Sequence, residues 1–242
     1  MAIEVFNRVE KKYLIDADTY ERFCQAIEPY MNYDKHCVDG AFYSINNIYY
    51  DTDTDELIRR SIDKPPYKEK LRLRSYGVPE LEDKVWLEIK KKFKGIVNKR
   101  RTLIRLYRAY DFVEKGIIPK ASGYLNEQVV KELKYFIDFY NPKPKLFLKY
   151  DRIAMFGKED SELRITFDTN ITTRRYDLRL EAGQHGEKLL EEDMILMEIK
   201  TIDSLPLWLT NILTNFEIKS NSFSKYGTEY LKYIKNLKKG ME

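Results

Sequence analysis

The stretch KEKLRLR, residues 68–74, places a basic side chain at every second position, with Leu71 and Leu73 between the last three. Successive side chains of a β-strand point to opposite faces of the sheet. The stretch therefore predicts a strand with one cationic face and one apolar face.

The same alternation of ionic and apolar residues recurs along the chain, in residues 8–15, 85–93, 96–105, 163–168 and 195–200. Between these segments, apolar residues at helical spacing predict four helices. The first follows a capping-box pattern at Asp18 and Glu21, and the others begin near Ser122 or Gly123, at Pro206, and near Ser224. We therefore predict one antiparallel α+β domain that spans residues 1–242.

Composition excludes several classes of protein. The chain has 242 residues, is 43% hydrophobic and carries a net charge of only +4, which does not mark a general binder of nucleic acid. Two histidines and two cysteines without metal-binding spacing give little support to a zinc hydrolase or a His-based triad. Because the sequence shows neither a signal peptide nor an apolar run of membrane-spanning length, we expect a cytoplasmic protein without direct membrane insertion.

Two arrangements fit the charged faces. One is an open antiparallel sheet with a solvated face, and the other is a closed barrel with the charges inside and helices around it. Arginine favours the barrel, since its donor fork fits phosphate oxygens and Arg72 and Arg74 share one face. Buried cations are costly unless they are paired, so an enclosed interior would have to hold an anion or water.

Eight short motifs, taken together and in order, resemble the catalytic VTC domain, the polyphosphate polymerase branch of the triphosphate tunnel metalloenzymes (CYTH-like superfamily). These motifs are RVEKKY at 8–13, YYDT at 49–52, KLRLR at 70–74, LEIK at 87–90, KRR at 99–101, LRITFD at 163–168, MEIK at 197–200 and SKY at 224–226. The resemblance implies a closed antiparallel β-barrel tunnel of about eight strands. It also implies transfer of the γ-phosphoryl group of ATP to polyphosphate, with Mn²⁺ or Mg²⁺ as cofactor.

The resemblance also assigns roles to individual residues. The catalytic positions would be Lys12, Arg72, Arg74, Lys90 and Arg164. The phosphate-binding positions would be Arg8, Lys70, Lys99, Arg101, Lys200 and Lys225. Glu198 would bind the metal, with Glu10 and Glu88 as further candidates for binding metal or ordering water.

The first motif departs from the Glu-x-Glu-x-Lys pattern of the hydrolase and cyclase branch, because Arg8 stands at its first position. This departure favours the polymerase branch. Two alternatives remain open at this point, namely hydrolysis of tripolyphosphate or a nucleoside triphosphate, and a polyphosphate-binding module without turnover. Glu10 and Glu88 could also serve only to hold arginine side chains in place.

Overall fold

The computed structural model describes residues 5–6, 9–37, 40–94, 96–120, 126–202 and 204–239, with side chains from residue 9 onward. Its strands are β1 Val5–Phe6, β2 Val9–Ile15, β3 Met31–Tyr33, β4 Tyr43–Asp51, β5 Tyr67–Tyr76, β6 Lys84–Phe93, β7 Ile96–Arg105, β8 Lys143–Gly157, β9 Arg164–Arg174, β10 Glu187–Lys188 and β11 Ile195–Thr201. Its helices are α1 Ala17–Ile27, α2 Glu56–Ile62, α3 Leu106–Lys115, α4 Glu127–Tyr140, α5 Leu207–Asn215 and α6 Lys225–Lys239. The predicted α+β class is confirmed.

Two predicted helix starts change. The cap of α1 is Asp16, whose carboxylate accepts a hydrogen bond from the Thr19 amide at 2.7 Å, so the capping box at Asp18 was wrong. Asn126 caps α4 in the same way, while Ser122 and Gly123 lie outside the described residues. No helix in the described ranges combines the length and the apolar composition that crossing a bilayer requires.

The strands form one antiparallel sheet in the order β1-β7-β6-β5-β4-β8-β9-β11-β2, with β10 beside β9 and β3 beside β8. In the described residues, no ladder joins β2 to β7, so the sheet is not closed by hydrogen bonds and the closed eight-stranded barrel is not confirmed. The physical reason is that the N-terminal segment divides its pairing. Val5–Phe6 pairs with β7, and Val9–Ile15 pairs with β11.

The sheet nevertheless curls so that its two ends approach each other. Phe6 and Val9 are three residues apart, so at most about 11 Å separates the strand paired with β7 from the strand paired with β11. On the concave side, the guanidinium of Arg74 in β5 donates to the phenolic oxygen of Tyr150 in β8 at 3.3 Å, across the intervening β4. The face that carries the charged residues is therefore the inner face of a curved sheet.

Helices cover the outer face of the sheet in two separate cores. One core packs α3 and α4 on β4 to β7, through Ile48, Leu71, Leu87, Phe112 and Leu133 among others. The other packs α1 and α5 on β2, β8, β9 and β11, through Phe23, Met155, Phe167, Met197 and Leu209 among others. Because the apolar side of each strand is satisfied outside, the ionic side is left to line the interior.

The C-terminal helix α6 covers one end of the interior. At that end the inner face becomes apolar, and Leu148 and Leu196 pack with Tyr226 of α6. The carboxylate of Asp51, at the end of β4, holds this region together. It accepts hydrogen bonds from the amides of Leu57 and Ile58 in α2 and from the Tyr226 hydroxyl.

We predict that Asp51→Ala lowers the free energy of unfolding by at least about 2 kcal/mol, because two buried amides lose their acceptor. Urea unfolding measures the effect. Asp51→Asn keeps one acceptor oxygen and should lose less, and Asp53→Ala, at an exposed position, should change little. An Ala variant within about 0.5 kcal/mol of the parent would contradict this role.

Candidate active site in the charged interior

Alternate residues of eight strands bring their side chains to the inner face. They are Glu10 and Lys12 of β2, Asn47 and Tyr49 of β4, Lys70, Arg72 and Arg74 of β5, Glu88 and Lys90 of β6, Lys99 and Arg101 of β7, Tyr150 and Arg152 of β8, Arg164 and Asp168 of β9, and Glu198 and Lys200 of β11. The helix α6 adds Lys225 at its first residue. This set contains every predicted site residue except Arg8, which lies outside the described residues.

Glu88 forms the first cluster, with two cations. Its carboxylate accepts a hydrogen bond from Arg72 Nε at 2.6 Å and lies 3.3 Å from Lys99 Nζ. Burial raises the pKa of Glu88, but Arg72, Arg74 and Lys99 outweigh that effect and hold the pKa well below its usual range. Glu88 is thus a permanent carboxylate that orients Arg72. These contacts show Glu88 in a pairing role, and its predicted metal role stays a prediction.

The second cluster interleaves two lysines with two carboxylates. Lys12 Nζ lies 3.2 Å from Glu10 and 3.4 Å from Glu198, and Lys200 Nζ lies 3.0 Å from Glu198 and 3.9 Å from Glu10. Burial opposes both carboxylate charges, but Lys200 and the other lysines keep the pKa of each carboxyl below its usual value. Both glutamates are therefore ionised, and they share the same cations.

The third cluster lies deepest. Arg152 donates two hydrogen bonds to Asp168, at 2.6 and 2.7 Å, and Lys225 contacts the same carboxylate and, at 3.5 Å, Glu198. Burial raises the pKa of Asp168, yet Arg152 and Lys225 hold it below its usual value. The bidentate pair joins β8 to β9. Lys225 holds the first residue of α6 against the two strands that carry Asp168 and Glu198.

A fourth group of cations has no carboxylate partner among the ion pairs of the described residues: Lys70, Arg74, Lys90 and Arg101. Arg74 is held by neutral groups, the Asn47 amide oxygen and the Tyr150 hydroxyl, and Arg101 lies over the Trp86 ring at 4.3 Å. These four side chains have their positive charge available to a ligand.

Three lysines stand directly opposite one another on neighbouring strands. Lys70 pairs with Lys90, and Lys90 pairs with Lys99. Like charges at directly opposite positions destabilise a sheet. Burial, together with the neighbouring cations, lowers the pKa of Lys70 and of Lys99 to about 8, and burial also lowers the pKa of Lys90. We call Lys70, Lys90 and Lys99 the lysine row.

Divalent metal ions prefer carboxylate oxygens, and Mg²⁺ commonly takes one or two of them together with waters and substrate phosphates. Glu10 and Glu198 fit this use, because both are ionised and their shared contacts with Lys12 and Lys200 bring the two carboxylates close together. The hydroxyl of Thr166, which is paired with Glu198 across β9 and β11, is buried and has no hydrogen-bond partner among the described residues. Within the described residues, however, no three His, Cys, Asp or Glu side chains form a ready-made cage.

Arg164 lies apart from the central clusters. Its guanidinium lies over the Phe156 ring at 5.0 Å and is 3.6 Å from Asp34, which precedes β4 in the chain. The structure thus places Arg164 near one end of the inner face, whereas the resemblance groups it with the catalytic residues.

Sequence reasoning missed Arg152, Tyr49 and Tyr150, and it gave Asp168 no role. Arg152 belongs to no run of alternating charge, because Lys149, Asp151 and Arg152 put ionic groups on both sides of β8. The β8–β9 ladder also shifts register between Lys149 and Asp151. Beyond that point, the residues of β8 therefore pair with other residues of β9 than regular alternation would predict. One signal was available in the sequence. Asp168 lies on the charged face of β9, and the cation that shares this face, Arg164, is four residues away, so the carboxylate needs a partner from another element.

Comparison with solved structures finds the same fold elsewhere. A candidate adenylate cyclase from Bacillus halodurans aligns with a TM-score of 0.55 at 15% identity, over 90% of this chain and 93% of that protein. A Hippeastrum protein studied as an adenylyl cyclase, whose structure is described as revealing a dominant triphosphatase activity, aligns with a TM-score of 0.48 at 16% identity, over 90% and 93% of the two chains. At 15% identity the likeness to the Bacillus halodurans protein concerns the fold alone, and the lower TM-score of the Hippeastrum protein carries no further argument.

No curated protein matches this chain closely in sequence. The family model of the VTC domain, in contrast, matches residues 7–234, nearly the whole chain. That range includes every residue of the clusters described above, and the match confirms the resemblance drawn from the sequence motifs. The chain belongs to the VTC domain family.

Proposed function

We propose that this protein is a metal-dependent phosphotransferase that moves the γ-phosphoryl group of ATP onto inorganic polyphosphate within the charged interior. The observation that carries the proposal is the lysine row. Three opposed ammonium groups, with Arg74 and Arg101 nearby, form a concave surface that a chain of phosphates would neutralise. Membership of the VTC domain family supports the same substrate class.

The inner residues suit the needs of phosphoryl transfer. The reaction requires in-line positioning and neutralisation of charge on the phosphate oxygens, and little covalent chemistry from the protein. Arg72 is fixed by its hydrogen bond to Glu88, and Arg74 is fixed by Asn47 and Tyr150, so both present guanidinium groups in defined orientations. A phosphate end as acceptor carries its own nucleophilic oxygen, so no general base is needed.

Glu10 and Glu198 would hold Mn²⁺ or Mg²⁺, and the ion would supply positive charge that offsets the negative charge of the phosphate groups. In the free protein, Lys12 and Lys200 form ion pairs with these carboxylates. When a polyanion enters, the two ammonium groups can turn toward its oxygens and release the glutamates. Lys12 is protonated in the free protein, because Glu198 and Glu10 overcome the effect of burial and hold its pKa above the usual value.

Hydrolysis of a triphosphate is the second candidate, and the exposure of Glu10 favours it. Glu10 keeps access to solvent while its carboxyl remains ionised, so it could orient a water molecule toward a phosphorus atom. The same interior would then bind the substrate, and only the acceptor would differ.

The deciding experiment incubates the protein with ATP and Mn²⁺ or Mg²⁺, and follows ADP, free phosphate and polymer together. Phosphotransfer predicts ADP and polymer in step, with little free phosphate. Phosphate release that outpaces polymer would select the hydrolase, and tight, salt-sensitive binding of tripolyphosphate without turnover would select a binding module.

Neighbouring arginines on opposite faces of β7 provide a matched test of the interior. Arg101 faces inward without a carboxylate partner, whereas Arg100 faces outward, 3.7 Å from Glu132. We predict that Arg101→Ala weakens tripolyphosphate binding by about 10- to 100-fold, the value of one charge-assisted hydrogen bond. Arg100→Ala should leave binding unchanged. Equal losses in isothermal titration calorimetry would mean that general charge, and not the interior, determines affinity.

Glu198→Gln should abolish the dependence of turnover on Mn²⁺ concentration, or turnover itself, while tripolyphosphate still binds in the absence of metal. The substitution removes an ionised metal ligand and keeps the size of the side chain. The control is Glu192→Gln, at an exposed position paired with Lys188. Metal titration of the rates measures the effect, and an unchanged metal dependence would assign Glu198 to lysine pairing only.

The lowered pKa values of Lys70 and Lys99 predict a pH effect on binding. Below pH 8 both ammonium groups are protonated, so affinity for tripolyphosphate should vary little. As the pH rises through 8, both lysines lose their protons in the free protein and binding must take protons up, so affinity should fall. Calorimetry in buffers of different ionisation enthalpy measures this uptake.

The double variant in which Lys70 and Lys99 become arginine should flatten that pH profile, because arginine does not titrate in this range. A parent profile that stays flat from about pH 7 to 9.5 would show that the lysine row remains protonated without a ligand.

A further inference from the structure

An aromatic cluster lies at the end of the inner face that is opposite to α6. On β5, Lys70 lies toward α6, since its Nζ is 5.9 Å from the centre of the Tyr226 ring. The inner face then continues through Arg72 and Arg74 to Tyr76, the last residue of the strand. Tyr76 therefore lies at the end of the interior that α6 does not cover.

Two further rings join Tyr76 there. The ring centres of Tyr76 and His36 are 5.7 Å apart with planes 18° from parallel, and the ring centres of Tyr43 and Tyr76 are 6.0 Å apart. Tyr43 is the first inner residue of β4. We call these three residues the rim cluster.

The rim cluster remains open to solvent. Tyr76 is 48% exposed and His36 is exposed, although both rings are held by neighbouring rings. An exposed tyrosine at the edge of a packed core is common, but here a fixed, near-parallel pair of rings stands at the entrance to a cationic interior. Flat rings of this kind can bind the face of a nucleobase, whatever the base.

The rim cluster also lies close to cations that would bind phosphate groups. Tyr76 follows Arg74 on the same face, about 7 Å along the strand. Tyr43 stands directly opposite Arg152 on β8. Arg164 completes the surroundings. Its guanidinium lies 3.6 Å from Asp34, whose carboxylate accepts a hydrogen bond from the His36 amide at 3.1 Å. Its buried Nε has no hydrogen-bond partner in the described part of the chain.

We propose that the rim cluster binds the base of a nucleoside triphosphate, with the base stacked on Tyr76 and the phosphates directed toward Arg74 and the lysine row. Arg164 would donate to the sugar or the first phosphate. The inference rests on the proposed function, because it assumes that the interior binds a triphosphate. It adds that the site distinguishes a nucleotide from inorganic triphosphate.

The test compares the binding of ATP and of inorganic tripolyphosphate by calorimetry in the parent and in Tyr76→Ala. We expect Tyr76→Ala to weaken ATP binding about tenfold and to leave tripolyphosphate binding unchanged, since one base–aromatic stack is lost. Tyr76→Trp should retain or improve ATP binding. Tyr135→Ala, at a position on α4 that is 71% exposed, is the matched control and should change neither ligand.

The outcomes separate this inference from the proposed function. If the parent binds neither ligand, the proposed function fails and the inference fails with it. If the parent binds tripolyphosphate but Tyr76→Ala leaves ATP binding unchanged, or weakens both ligands equally, the rim cluster is not a base site, while triphosphate binding in the interior stands.

Discussion

The inner face of the curved sheet carries more positive than negative charge, and the rest of the structure depends on this imbalance. Among the described residues, eleven cations face inward. All of them except Arg164 lie around four carboxylates, Glu10, Glu88, Asp168 and Glu198: Lys12, Lys70, Arg72, Arg74, Lys90, Lys99, Arg101, Arg152, Lys200 and Lys225. The carboxylates are distributed so that each orients two or more cations, as Glu88 does for Arg72 and Lys99. The remaining cations can be neutralised only by water, counterions or an anionic ligand.

Such an interior is tolerable because hydrophobic burial takes place elsewhere. The apolar side of every long strand packs outward, against α3 and α4 on one side and α1 and α5 on the other. A folded protein derives its net stability from burial of apolar surface. The two outer cores and the smaller apolar cluster beneath α6 supply this burial, so the rest of the inner face can remain charged. The inner face of the curved sheet therefore does not have to be apolar, and it can carry charged residues that suit a ligand.

The C-terminal helix makes the interior asymmetric. Tyr226 and the leucines beneath it close one end, while Lys225 reaches inward to Asp168 and Glu198. At the other end, the entrance is lined by the rim cluster and Arg164, and the rings of Tyr76 and His36 are exposed to solvent. A linear polyanion would therefore meet different surroundings at its two ends. The transfer that we propose, from a nucleotide donor to a phosphate acceptor, would make use of such a difference.

Much of this protein is encoded in local pattern. Period-two alternation at 68–74 and in five other segments determined which residues lie on the charged face, because strand geometry fixes alternation regardless of partners. The ordered motifs determined the family, and they selected nearly all of the residues that the interior brings together. Sequence alone did not decide whether the sheet closes. That depends on how the N-terminal segment divides its hydrogen bonds between β7 and β11, which is a matter of long-range register. Only the tertiary structure joined Arg152 to Asp168, paired Glu88 with Arg72 and Lys99, and placed Tyr43, Tyr76 and His36 at one entrance. These contacts depend on the register between strands and on the position of a loop, which alternation within one strand does not determine.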